Sequence, residues 1–228
     1  MTRTCAALLA GVVALAAAAH AELITLNPTA DARILSIFPN SNFATDILAT
    51  YHAPGNAQRT LIQFDVGSVP AGATINNVTL RLYGSAFAGA ITPTITAAYR
   101  VATPWVEAGT TWNAASPGNP WTQAGGDLVG TGGVPLTDPY ATWSGNQSGS
   151  NSAWYELNVT NLAIEHYLGT YPNYGIGLVG DVGNELVYVQ REAPPGYQYP
   201  ELVIDYTPVP EPASLLASVI GALWFRRR

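Results

Sequence analysis

Between Glu22 and Thr207 the apolar residues recur at every second position rather than every third or fourth. In VTLRLY (78–83), Val78, Leu80 and Leu82 fall on one side and Thr79, Arg81 and Tyr83 on the other. IQFDV (62–66), WYELNV (154–159) and ELVIDY (201–206) repeat the alternation. A period of two belongs to a pleated strand with one face covered. ELITL (22–26), TDILATY (45–51), TITAAYRV (94–101), YGIGLVG (174–180) and LVYVQRE (186–192) are further strands by the same rule. About nine short strands parted by Gly, Pro and Asn turns predict an all-β domain, an antiparallel, jelly-roll-like β-sandwich. One short helix interrupts them: NLAIEHYL (161–168), with Thr160 as its N-cap and Gly169 as its left-handed stop. The segment 113–153, rich in Gly, Ser, Pro and Asn, reads as a long loop region. No repeat and no linker divides the body, so residues 22–207 are expected to form one domain.

The two ends break the pattern. Residues 1–21 carry an early charge, Arg3, then an apolar stretch from Cys5 to Ala19, and close on Ala19-His20-Ala21. Such a small-x-small ending marks a signal peptide cut between Ala21 and Glu22, and the stretch is too short to span a bilayer. The mature chain then has no cysteine, which leaves neither a disulfide nor a thiolate nucleophile. Residues 208–228 present Pro210, Glu211 and Pro212, an apolar segment Ala213–Phe225 and three terminal arginines. That order resembles a PEP-CTERM sorting signal with a short transmembrane helix. The resemblance implies a Gram-negative source, processing by an exosortase at Pro210–Glu211–Pro212 after signal peptidase has acted at Ala21–Glu22, and transient anchoring in the inner membrane. Delivery to the cell surface or extracellular matrix would follow. A plain tail anchor is the alternative.

Composition narrows the partners. Charged residues are 11% of the chain, against about 25% in an average globular protein, and there is no lysine. The body from Glu22 to Pro210 holds five arginines and 14 acidic residues, a formal charge of −9. Such a body repels phosphate backbones and excludes nucleic acid as a partner; it attracts cations.

The body resembles the DNRLRE domain family, a class of secreted β-sandwiches some of which are carbohydrate-binding modules. The resemblance rests on ADARI (30–34), PNSNFATD (39–46), RTLIQFDV (59–66), VPAGATINNVTLRLY (69–83), TPWVEAGTTWN (103–113), LNVTNLAIEHYLG (157–169), NYGIGL (173–178), QREA (190–193) and YPELVIDY (199–206). It departs from the family at Ala44, Asn158 and Tyr167, where Gly, Asp and Trp are common. It implies a β-sandwich and a polysaccharide or matrix partner.

Candidate chemistry is sparse. Gly-x-Ser-x-Gly, His-Glu-x-x-His and P-loop motifs are all missing. His52 and His166 lack a ligand pattern and read as surface or helix-edge residues. A glycosidase needs two carboxylates at a defined separation, and Glu107, between Trp105 and Trp112, is the acid expected to sit near tryptophans. The chain therefore reads as a non-enzyme. Asp31, Asn40, Asn42 and Asp46 supply four oxygen-bearing side chains within sixteen residues, which suits a structural calcium ion or simple Asx-turn capping. GDVGNE adds Asp181, Asn184 and Glu185. Arg59 or Arg81 could pair with Asp65 across strands. Trp105 and Trp112 either clamp their loop to the sandwich or stack on sugar rings. Trp121, Tyr140 and Trp143, in the polar 113–153 segment, either offer open aromatic faces to a glycan or fold back into the body. Polysaccharide binding, a structural or adhesive matrix role without a defined glycan, and a glycan-active enzyme are the three functional readings, in that order. The charge of the body favours a neutral glycan.

Overall fold

The computed structural model describes residues 20–84, 93–146, 153–183 and 185–209. The expected signal peptide, apart from its last two residues, and the sorting signal at Pro210, Glu211 and Pro212 lie outside them, as does Asn184. Ala21 and Glu22 are exposed. No helix among the described residues is long and apolar enough to cross a membrane.

In chain order the strands are β1 (Glu22–Leu26), β2 (Pro28–Leu35), β3 (Leu48–Ala53), β4 (Asn56–Phe64), β5 (Thr74–Tyr83), β6 (Pro93–Val101), β7 (Ala114–Ser116), β8 (Asn119–Pro120), β9 (Leu128–Val129), β10 (Ala141–Asn146), β11 (Trp154–Asn158), β12 (Ile176–Gly180), β13 (Leu186–Tyr188) and β14 (Glu201–Thr207), with one helix, α1 (Thr160–Tyr167), between β11 and β12. They pair antiparallel into a small sheet, β1-β14-β5-β11, a large one, β10-β6-β12-β4-β3-β13, in which β2 also pairs with β4 and β9 with β6, and a two-stranded ribbon, β7-β8. Val78, Leu80 and Leu82 of β5 and Leu202 and Ile204 of β14 face Leu48, Ile62, Phe64, Ile176 and Leu178 of the large sheet in one apolar core. The expected sandwich is thus present.

The alternation also explains the register. Leu80 lies between Leu157 and Leu202, and Arg81 between Glu156 and Glu201, so apolar rows point inward and polar rows outward. A slip of one residue would exchange them, and this burial penalty fixes the pairing.

Three expectations change. The strand expected over 62–66 ends at Phe64, because the Asp65 carboxylate accepts a hydrogen bond from Gly67 N at 3.0 Å and opens a 3₁₀ turn over Val66–Ser68. Asp65 is therefore not the partner of Arg59 or Arg81. The segment 113–153 is not simply loop: β7 to β10 lie within it, and β10 extends the large sheet beyond β6. The helix begins with Thr160 as its first helical residue, not its cap. The Thr160 hydroxyl accepts from Val78 N at 2.8 Å, tying the helix to β5, while Asn158 Oδ1 accepts from Thr160 N. Its end is as expected. Gly169 has φ +69°, and Gly169 N and Thr170 N donate to the carbonyls of His166 and Glu165, the paired bonds of a Schellman stop.

The large sheet is covered on both faces. Ala32, Ile34, Leu61, Tyr99 and Val101 form a second core with Trp105, Ala115, Trp121 and Leu128 from the 102–138 excursion. Close approach of backbones shapes this layer too: a Cβ at Gly175, whose φ is +93°, would lie 2.4 Å from the carbonyl oxygen of Ile62, so only glycine fits there.

Candidate functional site

The tryptophans of the excursion are structural anchors. Trp105 is 9% and Trp121 5% exposed. Their indole N–H groups donate to Tyr174 O at 2.8 Å and to Thr111 O at 2.9 Å, which satisfies the one polar atom that burial would otherwise strand. Trp112 packs against the same core with the Arg59 guanidinium 4.9 Å above its ring, and Arg59 Nη1 donates to Gly125 O. Trp143 is half-buried and meets Tyr155 edge-on, centroids 4.6 Å apart, where the outer strand of each sheet closes the sandwich. Tyr140 is half-buried and donates to Glu165 Oε2 at 2.5 Å; burial and that carboxylate push its hydroxyl up to about 12. Trp105, Trp112, Trp121, Tyr140 and Trp143 thus do not converge on one open surface.

A different aromatic group stands on the outer face of the small sheet. Tyr83 and Trp154 are cross-strand partners, half-buried, with ring centroids 5.2 Å apart at 70°. Arg81 lies one pleat along, its guanidinium carbon 4.1 Å from the Trp154 ring centroid. Arg81 Nε donates to Glu156 Oε1 at 3.0 Å and Nη1 to Glu201 Oε2 at 2.7 Å. The sheet extends this face as a row of Thr79, Val203 and Asn158. The outward residues of an alternating strand carry no core signal, so sequence reading gave Arg81 a partner in the wrong place and passed over Tyr83 and Trp154 as site residues.

A second group gathers at the edge of the large sheet, where β2, the 3₁₀ turn Glu107–Gly109 and the segment after β13 meet. Asn42 holds the turn through hydrogen bonds from Nδ2 to Glu107 O and Thr110 O. Glu107 Oε1 accepts from Asp31 N at 2.8 Å and from Arg191 Nε at 2.9 Å, and Arg191 N donates to Asp31 Oδ2 at 2.8 Å. Arg191 also ion-pairs with Glu192. Asp31, Glu107 and Glu192 each present a carboxylate oxygen within 4.8 Å of the others. Asp31 is fully buried. That burial raises its carboxyl to about 7, reinforced by the charges of Glu192 and Glu107 and opposed by the Arg191 N–H. Glu192 is raised as well, by burial and then by Glu107.

The four oxygen-bearing residues offered either as a calcium set or as Asx-turn caps part company. Asn40 Oδ1 accepts from Asn113 Nδ2, Asn42 grips the turn and caps Ala44 N, and Asp46 pairs with Arg33. Asp31 alone enters the carboxylate group. Its companions lie 76 and 161 positions away, a separation no local motif could show.

At the helix end His166 is buried, contrary to the surface reading, and burial followed by the nearby Arg100 charge holds its imidazole down at about 4. Arg100 itself is 7% exposed and stacks beneath Tyr171, 3.8 Å from the ring centroid. His52 is exposed.

The model of carbohydrate-binding module family 96 matches residues 22–123. The matched span runs from β1 through β8 and contains Asp31, Glu107, Tyr83 and the tryptophans of the excursion, and it supports a carbohydrate-binding-module-like domain. No curated protein matches the chain.

Proposed function

We propose that the chain is an exported, non-catalytic polysaccharide-binding protein that holds its glycan on the outer face of the small sheet, over Tyr83 and Trp154. The observation that carries this reading is the aromatic pair standing among planar polar side chains on a rigid sheet. Sugar rings present C–H faces that stack on aromatic rings, while their hydroxyls seek the carboxylate and amide groups alongside. The Arg81 guanidinium already serves two glutamates, so a neutral glycan suits the face better than an acidic one. The family match supports carbohydrate as the ligand class. A fully buried acid such as Asp31 has no access to a substrate, which favours binding over cleavage.

Trp154→Ala is expected to weaken retention on neutral polysaccharide in affinity electrophoresis about tenfold, equivalent to ~1.4 kcal/mol, with an unchanged circular dichroism spectrum. Retention equal to wild type would shift the reading to a structural or adhesive matrix role without a defined glycan.

Export rests on the ends of the sequence. The resemblance to a PEP-CTERM signal supports an exosortase, a transient inner-membrane stage and a final place at the surface or in the matrix. Mass spectrometry of surface-released protein should find Glu22 as the first residue and Phe225 with the terminal arginines removed. Recovery of an intact C-terminus from released protein would refute sorting by cleavage.

A further inference from the structure

We propose that Asp31, Glu107 and Glu192 form a calcium site that staples three distant stretches of the chain together at the edge of the large sheet. The donors are oxygen only, which selects a hard cation over zinc or copper. Calcium–oxygen distances of about 2.3–2.6 Å allow ligand oxygens to stand as much as ~4.6–5.2 Å apart. The three carboxylates, each with an oxygen within 4.8 Å of the others, already fall inside that shell.

Charge and hydrogen bonding point the same way. Three carboxylates face the single guanidinium of Arg191, which leaves two negative charges in excess when all three are ionised. Arg191 engages Glu107 and Glu192 with its side chain and Asp31 Oδ2 with its backbone N–H. Asp31 Oδ1 is left buried with no hydrogen-bond partner, on a residue that is 0% exposed. A buried carboxylate oxygen without a donor is costly, and a cation is the partner that it and its two acidic neighbours can share. Arg191 then acts as an outer neighbour, holding the Glu107 and Glu192 side chains in place. The ion would join β2, the Glu107 turn and the segment after β13 in a domain whose expected mature form has no cysteine for a disulfide.

The proposal is independent of any glycan, so its test reads the metal directly. The full chain, stripped with EDTA and dialysed, is titrated with CaCl₂ and with MgCl₂ while the thermal midpoint is followed, and bound calcium is measured by atomic emission. One equivalent of calcium per chain and a midpoint several degrees higher at saturation are expected, because a ligand that binds only the native state stabilises it by mass action; magnesium should give a smaller shift. Glu192→Gln, at a side chain 29% exposed, should fold and raise the calcium dissociation constant at least tenfold. Asp31→Asn should abolish the shift. No retained calcium and an unchanged midpoint in the wild type would overturn the site, as would an unaltered dissociation constant in Glu192→Gln. In either case Arg191 would remain the cationic partner of the cluster.

Discussion

Trp121→Ala should cost about 3–5 kcal/mol of unfolding free energy, the range of a large aromatic removed from a packed core. Trp121 is 5% exposed and shares the second core with Trp105, Leu128, Ile34 and Leu61. Its backbone N–H donates to Asn113 O at 3.1 Å and its indole N–H to Thr111 O at 2.9 Å. The substitution leaves a cavity and an unpaired carbonyl together. Against a typical total of about 5–15 kcal/mol, that loss would bring the domain close to unfolding at physiological temperature. Trp121→Phe keeps much of the ring but strands the Thr111 carbonyl, and should cost less. Urea unfolding followed by tryptophan fluorescence checks both. A loss below about 1 kcal/mol for Trp121→Ala would mean that the 102–138 excursion is not packed as a second layer on the sheet. The same variant separates site from scaffold: any loss of polysaccharide retention should appear with a lowered urea midpoint, whereas Trp154→Ala should lose retention with its midpoint largely kept.

Two buried groups should give the stability of the protein opposing dependences on pH. His166 titrates near 4 when folded against an ordinary 6.5, so the unfolded chain binds the proton first. Its contribution is complete above pH 6.5 and is lost as the pH falls towards 4. Asp31 titrates near 7 against 3.8, so here the folded chain binds the proton first. Its contribution is complete below pH 3.8 and is lost as the pH rises through 7. At 1.36 kcal/mol per pH unit each effect amounts to about 3 kcal/mol between pH 4 and pH 7, and in the wild type they largely cancel. Measured in EDTA, His166→Gln should lose stability relative to wild type as the pH rises from 4 to 7, and Asp31→Asn should gain it. Parallel pH profiles for both variants and the wild type would show that neither group titrates as its burial dictates.

The alternating strands, their facing and the broad architecture were legible because burial writes itself locally. An alternation such as Val78-Leu80-Leu82 has one low-energy placement, with its apolar side against another sheet. The stop of the helix at Gly169 was legible for the same reason, since a left-handed residue at that point is a local backbone requirement. The body's acidity, its paucity of motifs and the form of its two ends were equally plain in the linear order. Hidden were the features set by what packs from elsewhere. Trp121 in a polar, glycine-rich stretch reads as a loop aromatic, and only the second apolar face of the large sheet at Leu61, Tyr99 and Val101 makes it a core residue. His166 reads as a helix-edge histidine until β6 brings Arg100 against it. Asp31 reads as a member of a local oxygen cluster with Asn40, Asn42 and Asp46. In the fold each of those three is taken by another bond, and Asp31 meets Glu107 and Glu192 instead. Periodicity is a property of neighbours along the chain, so sequence alone determined the alternating strands such as β5 and β14 and which way they face, but not β7 to β10 in the glycine-rich stretch. The carboxylate cluster and the Tyr83–Trp154 face depend on which strands become neighbours across long loops. That choice is made by burying the whole apolar surface at once, and only the tertiary structure decided it.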